Sequence, residues 1–250
     1  MAAPARRSYV SGRAPSARPA VGRGAVGRRL PLLRYLLLGL LALAVAPIVL
    51  TPLYAIVPPD STLMLARAVT FQPVNRTWTP LAAMSPALPR AVLTSEDARF
   101  CSHHGVDWAA LRTVMREGGD KGPGRGASTI TMQVAKNLFL WQGGAYVRKP
   151  LEIALAHWID LVWSKRRIME VYLNIAEWGP DGTFGAEAGA RRAFGRGAGK
   201  LSAQQAALMA AALPNPILRD PRRPSARMRA HAAIVASRAR AIGALADCLK

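Results

Sequence analysis

The sequence predicts a mainly α-helical domain standing behind one N-terminal transmembrane helix. Three observations carry this. Residues 35–57, "YLLLGLLALAVAPIVLTPLYAIV", hold no charged side chain. From Ala91 onward, apolar residues recur at helical spacing between cap and turn signals. No alternating strand pattern of any length, and no internal repeat, interrupts them. A chain of 250 residues is long enough for one sizeable domain with its own core and a short accessory segment.

The elements follow in order. Residues 1–34 contain eight arginines, no acid and many Pro, Gly, Ala and Ser, which predicts a disordered basic arm. As a helix, residues 35–57 would reach about 34 Å at ~1.5 Å per residue, enough for a hydrocarbon core of about 30 Å. Pro47 and Pro52 fall inside this run, and a membrane helix tolerates the kinks they bring. A cleaved signal peptide is the competing reading. Its apolar region usually spans about 7–15 residues and ends at a small-x-small site. Here the run is longer and leads into "VPPD", so an uncleaved anchor is expected. Arginine on its N-terminal side places that end in the cytoplasm and the remainder outside.

Charge limits the partners. The 34 Lys and Arg against 14 Asp and Glu give +20, which favours nucleic acid, an acidic membrane surface or a phosphorylated substrate. Export removes nucleic acid from that set. Membrane lipids and an anionic substrate remain.

Residues 58–74 read as a linker, 75–240 as the domain and 241–250 as a C-terminal tail. "PRAVLTSEDARFCSHHGVDWAALRTVMREGG" predicts two helices with a turn near His104 and Gly105. Residues 117–127, "EGGDKGPGRGA", predict a flexible loop. "STITMQVAKNLFL" opens with a Ser/Thr cap, and "RKPLEIALAHWIDLVWSKRRIMEVYLNIAEWG" gives one or two long helices. After a Gly-rich turn at 179–185 come "GAEAGARRAFG" and then "LSAQQAALMAAALPNP", with its own Ser cap. The basic amphipathic "PSARMRAHAAIVASRARAIGAL" closes the helical series. Cys101 and Cys248 are too few for a disulfide framework and lack metal-site spacing. Two free thiols are expected, a single bridge between them being the alternative. Neither "GPGRGAST" nor "GRGAGKL" has the spacing of a phosphate-binding loop. Cys101, His103 and His104 have no second ligand pair elsewhere, so no metal site is expected.

The chemistry-bearing residues cluster. In "SEDARFCSHHG", Glu96, Phe100 and His103 stand at i, i+4, i+7, on one face if the segment is helical. Asp97 would point aside, where it could cap or brace a neighbouring turn. A capping pair at a helix start is the plainer reading of the two adjacent acids. Thr129, Gln133, Lys136 and Asn137 form a polar stripe on the next helix. Arg148 and Glu152 again stand at i, i+4, where a surface ion pair would contribute less than about 1 kcal/mol. Glu170, Asn174 and Glu177 share a face and read equally as a brace between helices.

Together these segments resemble the peptidoglycan glycosyltransferases, the lysozyme-like family of lipid II polymerases. "EDARFCSHHG" resembles that family's Glu-Asp-x-x-Phe-x-x-His-x-Gly motif. "GASTITMQVAKN", "RKPLE" and "KRRIMEVYLNIAEWG" resemble its later motifs in the same order. The likeness covers residues from about Asn75 to Arg238. One departure is Met132-Gln133, where the family usually has Gln-Gln. Bifunctional relatives add a penicillin-binding transpeptidase; no Ser-x-x-Lys or Lys-Thr-Gly occurs here, so no transpeptidase activity is expected.

The resemblance implies a two-lobed, lysozyme-like glycosyltransferase domain on the periplasmic side of the cell inner membrane. It implies Glu96 and Glu152 as catalytic residues. As substrate-binding residues it implies Asp97, Phe100, His103, Ser128, Thr129, Gln133, Lys136, Asn137, Arg148 and Lys149. Donor and acceptor would be the growing lipid-linked glycan and lipid II, with undecaprenyl diphosphate released. A carboxylate with a raised pKa suits proton removal from the acceptor hydroxyl, and cations suit a diphosphate leaving group. One displacement inverts the anomeric carbon and gives a β-1,4 link. Lipid tails on both substrates account for the anchor and for apolar residues around 63–92 at the bilayer, and the 117–127 loop is placed to gate the donor groove. No cofactor is required; a divalent cation (Mg or Mn) is expected at most as an aid to the diphosphate. Division or elongation proteins are candidate partners. Two other readings stay open: a glycan-cleaving enzyme of related fold, and a non-catalytic membrane scaffold of the cell-wall machinery.

Overall fold

The computed structural model describes residues 29–118 and 127–250. The expected basic arm at 1–34 and the expected loop at 117–127 fall largely outside the described residues.

Helix α1, Arg29–Tyr54, contains a stretch, Leu33–Tyr54, that is long and apolar enough to cross a membrane, with mean hydropathy 2.5 and Arg34 near its start. This matches the expected anchor in length and position. Pro47 and Pro52 lie inside it. The Thr51 hydroxyl turns back to donate to the Pro47 carbonyl at 2.6 Å. The last carbonyls of any helix lack intrahelical donors. Here Arg167 donates to Tyr54 O and Val57 O, and the Trp163 indole N–H donates to Thr51 O. Glu170 holds the Arg167 guanidinium in place at 2.6 Å.

Residues 45–250 form one unit. Helix α2, Thr62–Val69, is capped by Ser61 and buries Met64, while Thr62 donates to Leu140 O at 2.8 Å. A small sheet follows in space, built from β1 Asn75–Arg76, β2 Glu177–Gly179 and β3 Thr183–Phe184. β3 lies between the others, parallel to β1 and antiparallel to β2. The domain is mainly α as expected, and this sheet adds three short strands that the sequence reading did not place. Strands of two or three residues are too short to display alternation.

Two helix groups make the domain. In one, α3 Ala87–Glu96 packs on α9 Ala203–Ala212 and α10 Ala226–Ala241. The alanine run of α9 permits that close approach, with Ala206, Ala207, Ala210 and Ala211 all buried. In the other, α5 Ile130–Phe139 packs on α6 Ala145–Val162 and α7 Lys165–Ile175. The long helical stretch thus resolves into two helices, because Ser164 caps the start of α7 by accepting from Arg167 N. Helices α4, Trp108–Gly118, and α8, Ala186–Phe194, complete the set. One continuous core joins the two groups, with Leu88, Phe100, Ile130, Ile168, Tyr172 and Met209 among its members.

Gly105 is required where it stands. Its φ is +78°, and a Cβ there would sit 2.5 Å from the Ala156 carbonyl oxygen. Glycine alone lets the chain turn this close to α6.

The free-thiol expectation is overturned: Cys101 and Cys248 form a disulfide, with Cα atoms 5.6 Å apart. The chain after α10 folds back as a 3₁₀ segment, Gly243–Leu249, onto the 3₁₀ turn Phe100–Ser102. A sequence separation of 147 residues carries no signal of that proximity.

Candidate active site

The adjacent acids Glu96 and Asp97 sit at a helix end, not at a start. α3 stops at Glu96, and Asp97 leaves the helix at φ −161°, ψ 74°. The expected helical face through Glu96, Phe100 and His103 therefore does not form. The physical reason is a better use for the Asp97 carboxylate. It accepts from Ile130 N at 3.0 Å, at the N-terminus of α5, where an anion is favoured. It also lies 3.0 Å from His103 Nε2. Asp97 thus braces a neighbouring turn, and His103 is the other arm of that brace.

Phe100 is fully buried and presents no surface to a ligand, which corrects its expected substrate contact. It is a floor beneath the turn, with the Lys165 ammonium 4.7 Å from its ring centre. Thr129 is likewise buried; it caps α5 and donates to Gly105 O at 2.6 Å. Both secure the backbone that carries the exposed groups.

Glu96 is half-buried, and burial raises its pKa, with the nearby Asp97 charge adding to the effect. Hydrogen bonds from Gln133 and Ser95, and the charge of Arg219, act the other way. Gln133 Nε2 donates to Glu96 Oε2 at 3.1 Å. The Tyr172 hydroxyl donates to Gln133 Oε1 at 3.0 Å and so sets which end of the amide meets the carboxylate. Burial pushes the Tyr172 pKa well up, which keeps it a donor.

The cations lie on α5 and α6. Glu152 is buried and bonds both Arg148 and Lys149, so the pair expected at the surface is an interior one. Lys149 also donates to Ser128 at 2.5 Å. Burial lowers the pKa of Lys136 and of Lys149, and the Arg148 charge adds to both. Among the described residues, no acid or hydrogen-bond acceptor meets the Lys136 ammonium. Lys136, Asn137 and Gln133 line a cleft of about 200 Å³ together with Glu177 and Tyr172. Glu96 faces an adjoining hollow lined by Asp97, Arg99, Asp107, Ser128 and Thr129.

The brace expected of Glu170, Asn174 and Glu177 divides. Glu170 accepts from Leu81 N, and Asn174 exchanges hydrogen bonds with the Thr79 backbone. Glu177 instead lies on β2 at the cleft, with burial raising its pKa. Met132 is buried against Val106 and Ala156, so the departure from Gln-Gln falls on a core-facing position. Sequence reading missed Tyr172 and Arg219. Tyr172 sits in the quoted "EVYLN" segment, where its position beside Asn174 was the available signal. Arg219, in a Pro-rich stretch, offered none. Among the described residues no three His, Cys, Asp or Glu side chains gather as a metal site.

A half-buried carboxylate of raised pKa and a set of partly desolvated cations, on a helical domain that follows an apolar helix, are groups suited to glycosyl transfer. Comparison with known proteins narrows that class. A family model described as Transglycosylase matches residues 64–240. The biosynthetic peptidoglycan transglycosylase of Nitrobacter hamburgensis is 57% identical over 199 residues, covering 80% of this chain and 88% of the relative. That of Rhodopseudomonas palustris is 56% identical over 199 residues, covering 80% and 84%. That of Brucella suis is 52% identical over 210 residues, covering 83% and 93%. The chain belongs to the transglycosylase family.

Proposed function

We propose that this chain polymerises lipid II into β-1,4-linked glycan strands of peptidoglycan, releasing undecaprenyl diphosphate. The observation that carries the mechanism is that Gln133 links two groups: it donates to Glu96, whose pKa burial raises, and it shares a cleft with Lys136, which meets no acid or hydrogen-bond acceptor among the described residues. Glu96 takes the proton from the acceptor's 4-hydroxyl as that oxygen attacks the donor's anomeric carbon. The bond from that carbon to the diphosphate oxygen breaks, and the diphosphate leaves with the electron pair. The anomeric centre inverts in this one displacement. Lys136, Arg148 and Lys149 stabilise the charge that grows on the leaving group. Glu152 holds the last two in place and limits their mutual repulsion before substrate arrives.

A second hollow, lined by Arg219, Arg223, Arg227 and His231 with Asp220 among them, offers cations to an anionic acceptor, and the Arg219 charge also acts on Glu96. Such an arrangement gives each lipid-linked substrate its own cations. A divalent cation, Mg or Mn, would arrive with the diphosphate, and chelator titration of the rate tests for it. The disulfide supports an exported domain, because such bonds persist in oxidising compartments. With arginines preceding the anchor, it favours a single-pass protein of the inner membrane whose domain faces the periplasm.

A raised glutamate would also serve as the general acid of a glycan-cleaving enzyme. The cation row favours transfer, since a cleaving enzyme has no diphosphate to hold. Purified protein given lipid II should produce long glycan and no product from intact sacculi. Release of fragments from sacculi, with lipid II untouched, would reverse the reading.

A further inference from the structure

We propose that the Cys101–Cys248 disulfide is a positioning clasp for the turn that aims the catalytic carboxylate. The proposal rests on the reading of Glu96 as the base.

Between Glu96 and Gly105 the only regular structure is the 3₁₀ turn Phe100–Ser102. Its two ends, Asp97 and His103, are bonded to each other, and Asp97 also anchors the start of α5. The Asp97 charge acts on Glu96. The direction in which the chain leaves Glu96 is thus set by this turn, and Cys101 stands in its middle.

The other half of the bridge is equally well tied. Cys248 belongs to the returning segment Gly243–Leu249, in which Ala246 is buried. Two consecutive residues at the start of α7 hold the two segments separately. Lys165 donates to His103 O, and Arg166 donates to Leu249 O, each at 2.6 Å. The disulfide closes this into a ring: turn, Cys101, Cys248, Leu249, Arg166, Lys165, His103 and back to the turn. Without the bridge, the ends of the turn keep the Asp97–His103 and Lys165–His103 O bonds, while its middle is left with local hydrogen bonds such as Ser102 N to Arg99 O. A staple for stability alone could join any distant pair. This one joins the segment after α10 to the turn between the two arms of the brace, Asp97 and His103.

The bond forms when both thiols give up their protons and together two electrons to a disulfide-bearing oxidant. That oxidant leaves as its dithiol by thiol exchange. A dithiol reductant reverses the step and becomes the cyclic disulfide. Both cysteines are half-buried, within reach of such reagents.

The test uses the full-length protein in detergent, oxidised and after dithiothreitol reduction with alkylation, beside Cys101→Ser/Cys248→Ser. These are the only cysteines, so mass labelling counts the bridge directly. On opening, kcat should fall about ten-fold or more, because small misplacements of reacting groups are costly. KM should stay within about two-fold, the substrate cations being untouched. The acid limb of the kcat profile should move to lower pH, as a loosened turn hydrates Glu96. Reoxidation of unalkylated protein should restore both. An unchanged kcat and acid limb, with only a lower melting temperature, would overturn the proposal and leave a plain stability staple. Loss of the fold on reduction would overturn it too, because the bridge would then hold the domain and not the turn. Glu96→Gln separates the two readings: activity surviving that change removes the base assignment, whatever the redox state does.

Discussion

Glu96 ends a helix, where the backbone carbonyls disfavour an anion, and it is half out of water as well. Both effects hold the proton on the carboxyl. Gln133, oriented by Tyr172, acts the other way by donating to the ionised carboxylate. Glu96→Gln should therefore cut polymerisation by about 10²–10⁴-fold, the range of general-base contributions. Its stability should not fall. A group whose pKa is raised in the fold costs stability once pH rises through that raised value, and the neutral amide avoids this cost. Thermal melts near neutral pH, with a lipid II assay, check both halves. The same shifts give the rate profile two limbs. Activity should fall on acidification through Glu96, at a pH above that of an ordinary glutamate. It should fall again on the basic side through Lys136 and Lys149, below the ordinary lysine range. Lys136→Ala should lower turnover about ten-fold or more, near 1.4 kcal/mol. Lys200→Ala, which removes the same charge from an exposed 3₁₀ turn, should leave it within about two-fold. Equal losses would mean that basic residues serve only attraction to the membrane.

Helix α5 is where sequence pattern and site meet. Its buried face carries Ile130, Val134 and Leu138 into the core, and its polar stripe leaves Gln133, Lys136 and Asn137 at the cleft. The first turn of α5 is fixed twice, by Asp97 on Ile130 N and by Thr129 on Gly105 O. That second bond needs Gly105 at its left-handed φ, close against α6. Gly105→Ala would force a methyl group onto the Ala156 carbonyl. It should destabilise the protein by more than about 2 kcal/mol and lower turnover at temperatures where it still folds. Circular-dichroism melts of the full-length protein measure the first effect, and a silent substitution would show the contact to be relaxed elsewhere.

At the scale of the whole molecule, an apolar helix of 22 residues precedes a domain whose fold includes a disulfide. The anchor's last turn is held by Trp163 and Arg167 of the domain itself. A periplasm-dependent reporter fused after Lys250 should be active, and a cytoplasm-dependent one silent. Intact mass should include residues 1–57. An N-terminus near Pro58 in the mature protein would point to cleavage instead.

The anchor, the helical class, the helix caps at Thr129 and Ser202, and the order of the motif residues were all readable along the chain. Each depends on neighbours within a few positions: an uncharged run, a hydroxyl before an apolar stretch, a fixed spacing between acid, aromatic and histidine. What the residues do to one another was decided by the tertiary structure. Phe100 became a floor and Asp97 a brace because contacts from α5 and α7, far along the chain, outweighed the local helical register. Glu152 became an interior partner for two cations, and Cys101 found Cys248, for the same reason. Burial and long-range pairing set pKa values, ion pairs and bridges, and neither quantity is a property of any short stretch of sequence.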